Sequence, residues 1–456
     1  MFFNLSFTDI IVPPIFLAIF YFLAQRIVKT HIEKEPYYRF FIPGLFIKLF
    51  GGLALCLIYI FYFKGGDTLF YYNDGVVLSK LFLKDPWQAI RFTFKPLDAD
   101  IWFAMDDTTG WLLYSYDARA MMVDKLTWPI SFLSFNSYIA TTFLLNFILY
   151  FSIWRLFKMF VYEIPGIERQ FAFAILFIPS VIFWGSGLLK DSITFACVAQ
   201  YTASFHHLIK IKTKKTSNFF GLIFSSFLLL NIKPYIFFAL LPGTSLWFIG
   251  YRTSQIKNQL LRTSLIPIVI VISTLSGYLM LRVIGDTLGE FSVNRVFDKA
   301  VVTQQDLKQD YYQGSSFDIG EIDPSISGML SKAPKAINAA LFRPYIWESN
   351  NTAMLISGLE NLILLLVTIV MILRLRGYYL LLLMFRQHVL FFSVFFSLFF
   401  AFSVGLTTSN FGSLVRYKIP AIPFFVASLF IIFKEYNEIL RKRNDVFQDT
   451  SAPIAS

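Results

Sequence analysis

The chain alternates long apolar runs with short charged stretches, and most runs reach the length of a membrane-crossing helix, about 20 residues. Their positions predict an all-α, polytopic membrane fold of about eleven spans. These lie near 7–25, 41–63, 136–155, 170–187, 191–209, 218–232, 235–250, 263–284, 352–373, 388–406 and 419–433. The sixth and seventh are short and divided only by Asn231-Ile232-Lys233-Pro234, a pattern that suits a helical hairpin stopping short of a full crossing. Two long segments break the rhythm, 64–135 and 285–351, and a charged tail follows at 434–456. The whole reads as one transmembrane domain. The first segment carries Trp87, Trp102, Trp111 and Trp128, which predicts amphipathic helices lying at headgroup level. The second is more polar, with Thr303-Gln304-Gln305-Asp306, and suits a flap.

Composition strengthens this picture. Hydrophobic residues make up 56% of the 456 and charged ones only 15%, against about 25% charged in ordinary soluble domains. A net charge of +11 raises the question of nucleic acid, but no basic stretch sits on a soluble segment. The basic residues are densest in short loops such as 206–215, which places the amino terminus outside and the carboxyl terminus in the cytoplasm. The opening MFFNLSFTDIIVPPIF lacks a basic start and a small-residue cleavage site, so it is expected to be the first span. Cys56 and Cys197 fall inside apolar runs and offer neither a disulfide framework nor a metal spacing.

Candidate chemistry begins where the second span ends, at Lys64-Gly65-Gly66-Asp67-Thr68-Leu69-Phe70-Tyr71-Tyr72-Asn73-Asp74-Gly75. Asp67 and Asp74 are seven residues apart, two helical turns, so a helix points both the same way. A carboxylate there suits a general base or a ligand to a divalent cation, and equally a helix cap. Tyr71 and Tyr72 offer faces on which a sugar stacks, as does Trp184. Asp106 and Asp107 form a second acidic spot that suits a cation or a solvated turn. Asp67, Asp106 and Asp107 are therefore the candidates for a divalent metal.

Cations cluster in segments assigned to the outer side, against the usual loop bias. Lys190 follows Trp184-Gly185-Ser186-Gly187 and opens the fifth span, where a helix start favours phosphate; snorkelling to the interface explains it equally. Lys233-Pro234-Tyr235-Ile236 and Arg343-Pro344-Tyr345-Ile346 echo each other. Arg416 and Lys418 lead into the last span. Arg forks onto phosphate oxygens and Lys neutralises as a point charge, so Lys190, Lys233, Arg343, Arg416 and Lys418 are expected to hold a lipid-linked phosphate or diphosphate. Lys48 and Glu360 stand inside spans, where ionisable groups are costly. There is no Walker loop, dinucleotide fingerprint or HExxH motif.

The Arg416-Tyr417-Lys418-Ile419-Pro420-Ala421-Ile422-Pro423-Phe424 entry to a late span, with an acid in the first large loop, resembles the GT-C superfamily of integral membrane glycosyltransferases. The run from Pro179 to Asp191 is similar to segments of bacterial polysaccharide-assembly membrane proteins. The paired acidic dipeptide of the superfamily is absent, Gly66-Asp67-Thr68 standing in its place. The resemblance implies a polyprenyl-phosphate-linked sugar as partner and transfer on the outer face of the bacterial cytoplasmic membrane. It also implies Asp67 as the catalytic acid and Arg416 with Lys190 on the lipid phosphate. No cofactor beyond a divalent cation is expected. An O-antigen or capsule polymerase would use the same cations, and a lipid-linked glycan flippase would need more polar residues at midplane.

Overall fold

A computed structural model describes residues 5–212, 214–256, 302, 304–306, 316–320, 323, 325–349, 352–374, 383–384 and 387–450. The described residues are almost wholly helical, the one β-bridge among them joining Ser316 and Asn410. They form two compact units, Met1–Met159 with Ile175–Phe237, and Phe160–Ala174 with Phe238–Ser456.

Among the described residues six helices are long and apolar enough to cross a membrane: Phe7–His31, Pro36–Phe63, Tyr138–Glu163, Pro234–Ser254, Met354–Arg374 and His388–Thr407. The pair Phe411–Tyr417 and Ile422–Arg441, bent by 63°, makes a seventh if it is one span. These helices fit a multi-pass membrane protein. Of the other predicted spans, 263–284 lies outside the described residues. The stretch 170–187 is not one helix but two short ones, Glu168–Leu176 and Pro179–Trp184. Pro179 cannot continue the first and biases Ile178 away from helical torsions. The stretches 191–209 and 218–232 are helical but fall outside those six. The last helix runs on from Ile422 to Thr450, into the stretch predicted as the tail.

In the first unit, α1 (Phe7–His31) opens with a capping box. Asp9 N–H donates to Ser6 Oγ, and Ser6 N–H donates back to the Asp9 carboxylate. The same carboxylate accepts from Ser137 Oγ at 2.8 Å, at the start of α7 (Tyr138–Glu163), so the polar Asp9 of the first span joins two helix starts. Next, α2 (Phe41–Ile58) packs on α9 (Pro179–Trp184) so closely that a Cβ on Gly51 would sit 2.3 Å from the Ile182 carbonyl oxygen. That approach requires glycine. The end of α9 is buried, and its free carbonyls are met by side chains: Lys48 Nζ on Gly185 and Asn146 Nδ2 on Ser186. Lys48 is therefore a buried helix cap.

The predicted first loop is a packed helical subunit of α3 (Asp67–Lys84), α4 (Pro86–Phe94), α5 (Ala99–Ala104) and α6 (Ala118–Leu133). Leu78, Leu81, Phe92, Ile101 and Trp128 form its core. Trp128 is thus no surface anchor, being 7% exposed with its indole N–H on Thr93, whereas Trp87 on α4 is 69% exposed. The helices α10 (Lys190–His206) and α11 (Lys215–Ile232) pack as a pair, and Lys233 alone separates α11 from α12 (Pro234–Ser254).

The second unit pairs α14 (Ala333–Phe342), preceded by α13 (Ile326–Ser331), with α16 (His388–Thr407). Phe392 and Phe396 of α16 meet Phe424 edge-to-face. Between these stand α15 (Thr352–Arg374) and α17 (Phe411–Tyr417), and α18 (Ile422–Thr450) closes the chain.

Candidate functional site

Asp67 is the first residue of α3, with Gly66 at φ 109° as its N-cap; Asp67 itself does not cap. The residue is partly exposed, and its Oδ1 accepts the Tyr114 hydroxyl at 3.2 Å. Two turns on, Asp74 is fully buried and does something different. Its two oxygens accept the backbone N–H groups of Leu113 and Tyr114, at 2.8 and 3.0 Å. Burial pushes the Asp74 carboxyl up to about 6, against the pull of those two N–H groups. Asp74 is thus placed to hold the loop that carries Tyr114, whose hydroxyl in turn meets Asp67. Tyr71 lies between them, its ring 4.8 Å from that of Tyr114. Burial first, then the neighbouring Asp67, raises the proton affinity of the Tyr114 phenolate. Tyr114 is therefore a hydrogen-bond donor at neutral pH.

Lys190 begins α10, and its Nζ is 2.9 Å from Asp117, the N-cap of α6. Burial alone would raise the Asp117 carboxyl, but Lys190 and the N–H groups of Ala120 and Arg119 hold it below the ordinary range. One position further along α10, Asp191 is buried and paired with Lys233. Asp124, seven residues beyond Asp117 on α6, is fully buried with neither carboxylate oxygen hydrogen-bonded.

Comparison with protein-family models, curated proteins and solved structures finds no match to this chain. What it does must therefore be read from its own side chains.

The second unit holds the remaining predicted cations. Arg343 pairs with both oxygens of Glu348, and its guanidinium stands 4.7 Å over the Phe317 ring and 5.3 Å over Phe411. Lys418 is buried, donating to Asn361 Oδ1 at 2.7 Å, while Asn361 Nδ2 donates to the Pro344 carbonyl. Asn361 thus links Lys418 to the Arg343-Pro344 corner. Arg416 lies two residues from Lys418 and is partly exposed.

Asp67, Tyr71, Asp74 and Lys190 therefore fall within the first unit, and Arg343, Arg416 and Lys418 within the second. Tyr72 points its hydroxyl at the Asn136 carbonyl, and Trp184 lies against Phe183. Asp106 closes a turn through Thr108 and Thr109 and pairs with Lys84, and Asp107 beside it is exposed. Among the described residues no three His, Cys, Asp or Glu side chains converge to hold a metal ion.

Three neighbours of this site went unpredicted: Tyr114, Asp117 and Asp124. A signal for two of them was present, since Asp117 and Asp124 repeat the seven-residue spacing of Asp67 and Asp74.

Proposed function

We propose that the protein is a membrane glycosyltransferase that draws sugar from a polyprenyl-phosphate donor at the outer face of a bacterial cytoplasmic membrane. Asp67 carries this proposal: it is a partly exposed carboxylate fixed by a tyrosine hydroxyl and flanked by aromatic rings. The acceptor hydroxyl attacks the anomeric carbon as the bond to the phosphate oxygen breaks. Polyprenyl phosphate leaves with the electron pair, and the hydroxyl proton passes to Asp67. Aromatic faces such as Tyr114 and Tyr116 suit sugar stacking, and Lys190, in the same unit as Asp67, suits the departing phosphate. Lys190, Lys233, Arg343 and Lys418 are held at rest by Asp117, Asp191, Glu348 and Asn361 in turn, so phosphate must displace or share the partner it meets. The test is transfer by purified protein in lipid vesicles, supplied with a panel of polyprenyl-phosphate-linked hexoses and pentoses. Asp67→Asn is expected to abolish product with folding intact, and full activity would remove the acid from its role.

The cation group around Asn361 favours a second proposal, a polymerase that joins lipid-linked glycans without a catalytic carboxylate. An active Asp67→Asn variant alongside an inactive Arg416→Ala variant would select it.

A further inference from the structure

Lys48 lies near the middle of the span Pro36–Phe63, where an ionisable side chain is costly, and it is 6% exposed. Of the two buried lysines described in the first unit, Lys233 meets Asp191, while Lys48 meets neutral groups only. Its Nζ donates to the Gly185 carbonyl and, at 3.4 Å, to Ser186 Oγ, both at the end of α9. An ammonium has three N–H groups, so these two bonds leave one over, and no acid among the described residues pairs with it. A cavity of about 20 Å³ adjoins it, with Gly44, Lys48, Tyr150, Ile182, Ser186 and Phe195 in its lining, all of the first unit. That is room for about one water or one monatomic ion. Tyr150 gives its hydroxyl proton to the Phe41 carbonyl at 2.7 Å. Ser186 Oγ accepts from Lys48, which leaves its own O–H available. The polar lining therefore offers two donors, the third Lys48 N–H and the Ser186 O–H, and no carboxylate.

We propose that this cavity binds a small monovalent anion, a halide by its size, between the Lys48 ammonium and the Ser186 hydroxyl. A water molecule would accept the two hydrogen bonds but leave the buried charge uncompensated, whereas a halide accepts both and supplies the counter-charge. The walls formed by Ile182 and Phe195 are apolar and favour an ion that sheds its water easily, chloride or bromide before sulfate. Bound there, the anion ties α2 to the end of α9, beside the contact in which Gly51 lies close against Ile182.

Equilibrium binding of radiolabelled chloride to the purified full-length protein in lipid nanodiscs tests this, with gluconate holding the ionic strength constant. A single saturable site per chain is expected, displaced by bromide and not by sulfate or phosphate. The melting temperature should rise with chloride and level off, by about 3 °C at a hundredfold excess over the dissociation constant. Lys48→Met should lose both the binding and the rise. Ser186→Ala removes one hydroxyl and keeps the ammonium, so it should weaken binding about tenfold, the loss of one charge-assisted hydrogen bond. That variant keeps the test decisive if the lysine substitution prevents folding. The absence of a saturable site in the unaltered protein overturns the proposal, as does binding that survives Lys48→Met or is undiminished in Ser186→Ala. Displacement by sulfate or phosphate as effective as that by bromide overturns it too, since it would mean an open surface site. No sugar transfer is measured, so the outcome is independent of the glycosyltransferase proposal.

Discussion

The two units treat charge in opposite ways. In the first, each of the two lysines singled out is paired with an acid, Lys190 with Asp117 and Lys233 with Asp191, while Asp67 and Asp74 are met by a tyrosine hydroxyl and backbone N–H groups. In the second, Lys418 donates to an amide with Glu360 also acting on it electrostatically, and Arg343 adds two aromatic faces to its pair with Glu348. The first unit thus matches each of these lysines to one acid, while the second spreads its cations over an amide, acids and aromatic faces.

The largest test of this division is Asp67→Asn. Removing a general base costs about 10²–10⁴-fold in rate, so transfer should fall below detection while thermal unfolding is unchanged. Next in size is Lys233→Ala, which strands the buried Asp191 charge. Breaking a buried pair costs about 3–5 kcal/mol, and the double change Lys233→Met with Asp191→Asn should recover most of it in a thermal melt. In the second unit, Lys418→Met removes a cation whose hydrogen bond is to the neutral Asn361 amide. It should lower donor use about tenfold to a hundredfold, the loss of one charge-assisted hydrogen bond, with a smaller effect on the melt. Should Lys233→Ala and Lys418→Met behave alike in both assays, the contrast between the units is gone.

Much of the architecture was legible because continuous apolar runs admit few other readings. The spans at 7–25, 41–63, 136–155, 235–250, 352–373 and 388–406 each coincide with a helix long and apolar enough to cross. Hydropathy could not show the break at Pro179, since Ile178 and Val181 are as apolar as their surroundings and the interruption is one of backbone torsion. The position of Asp67 on a helix shared with Asp74 followed from spacing, but the division of labour between them did not. It arises from Leu113 and Tyr114, nearly 40 residues away, whose N–H groups claim Asp74. The partners of the cations were hidden for the same reason: Lys190 meets an acid 73 residues distant and Lys233 one 42 residues distant.

Asp74→Asn gives the smallest effect and the sharpest signature. An amide can accept from only one of the two N–H groups, so the other loses its partner at a cost of about 1–3 kcal/mol, and the loop bearing Tyr114 loosens. The pH dependence has a definite sign. The folded-state carboxyl stands at about 6, above the ordinary aspartate value of about 3.9, so the native state binds its proton more tightly than the unfolded chain. The stability this contributes is whole below about pH 4 and is lost as pH rises through about 6. The gap between the unaltered protein and Asp74→Asn should therefore be widest near pH 4 and narrow towards pH 7, measured as melting temperature in matched buffers. A gap that widened with pH would mean that the two N–H groups hold Asp74 as a carboxylate, and that burial does not govern its charge.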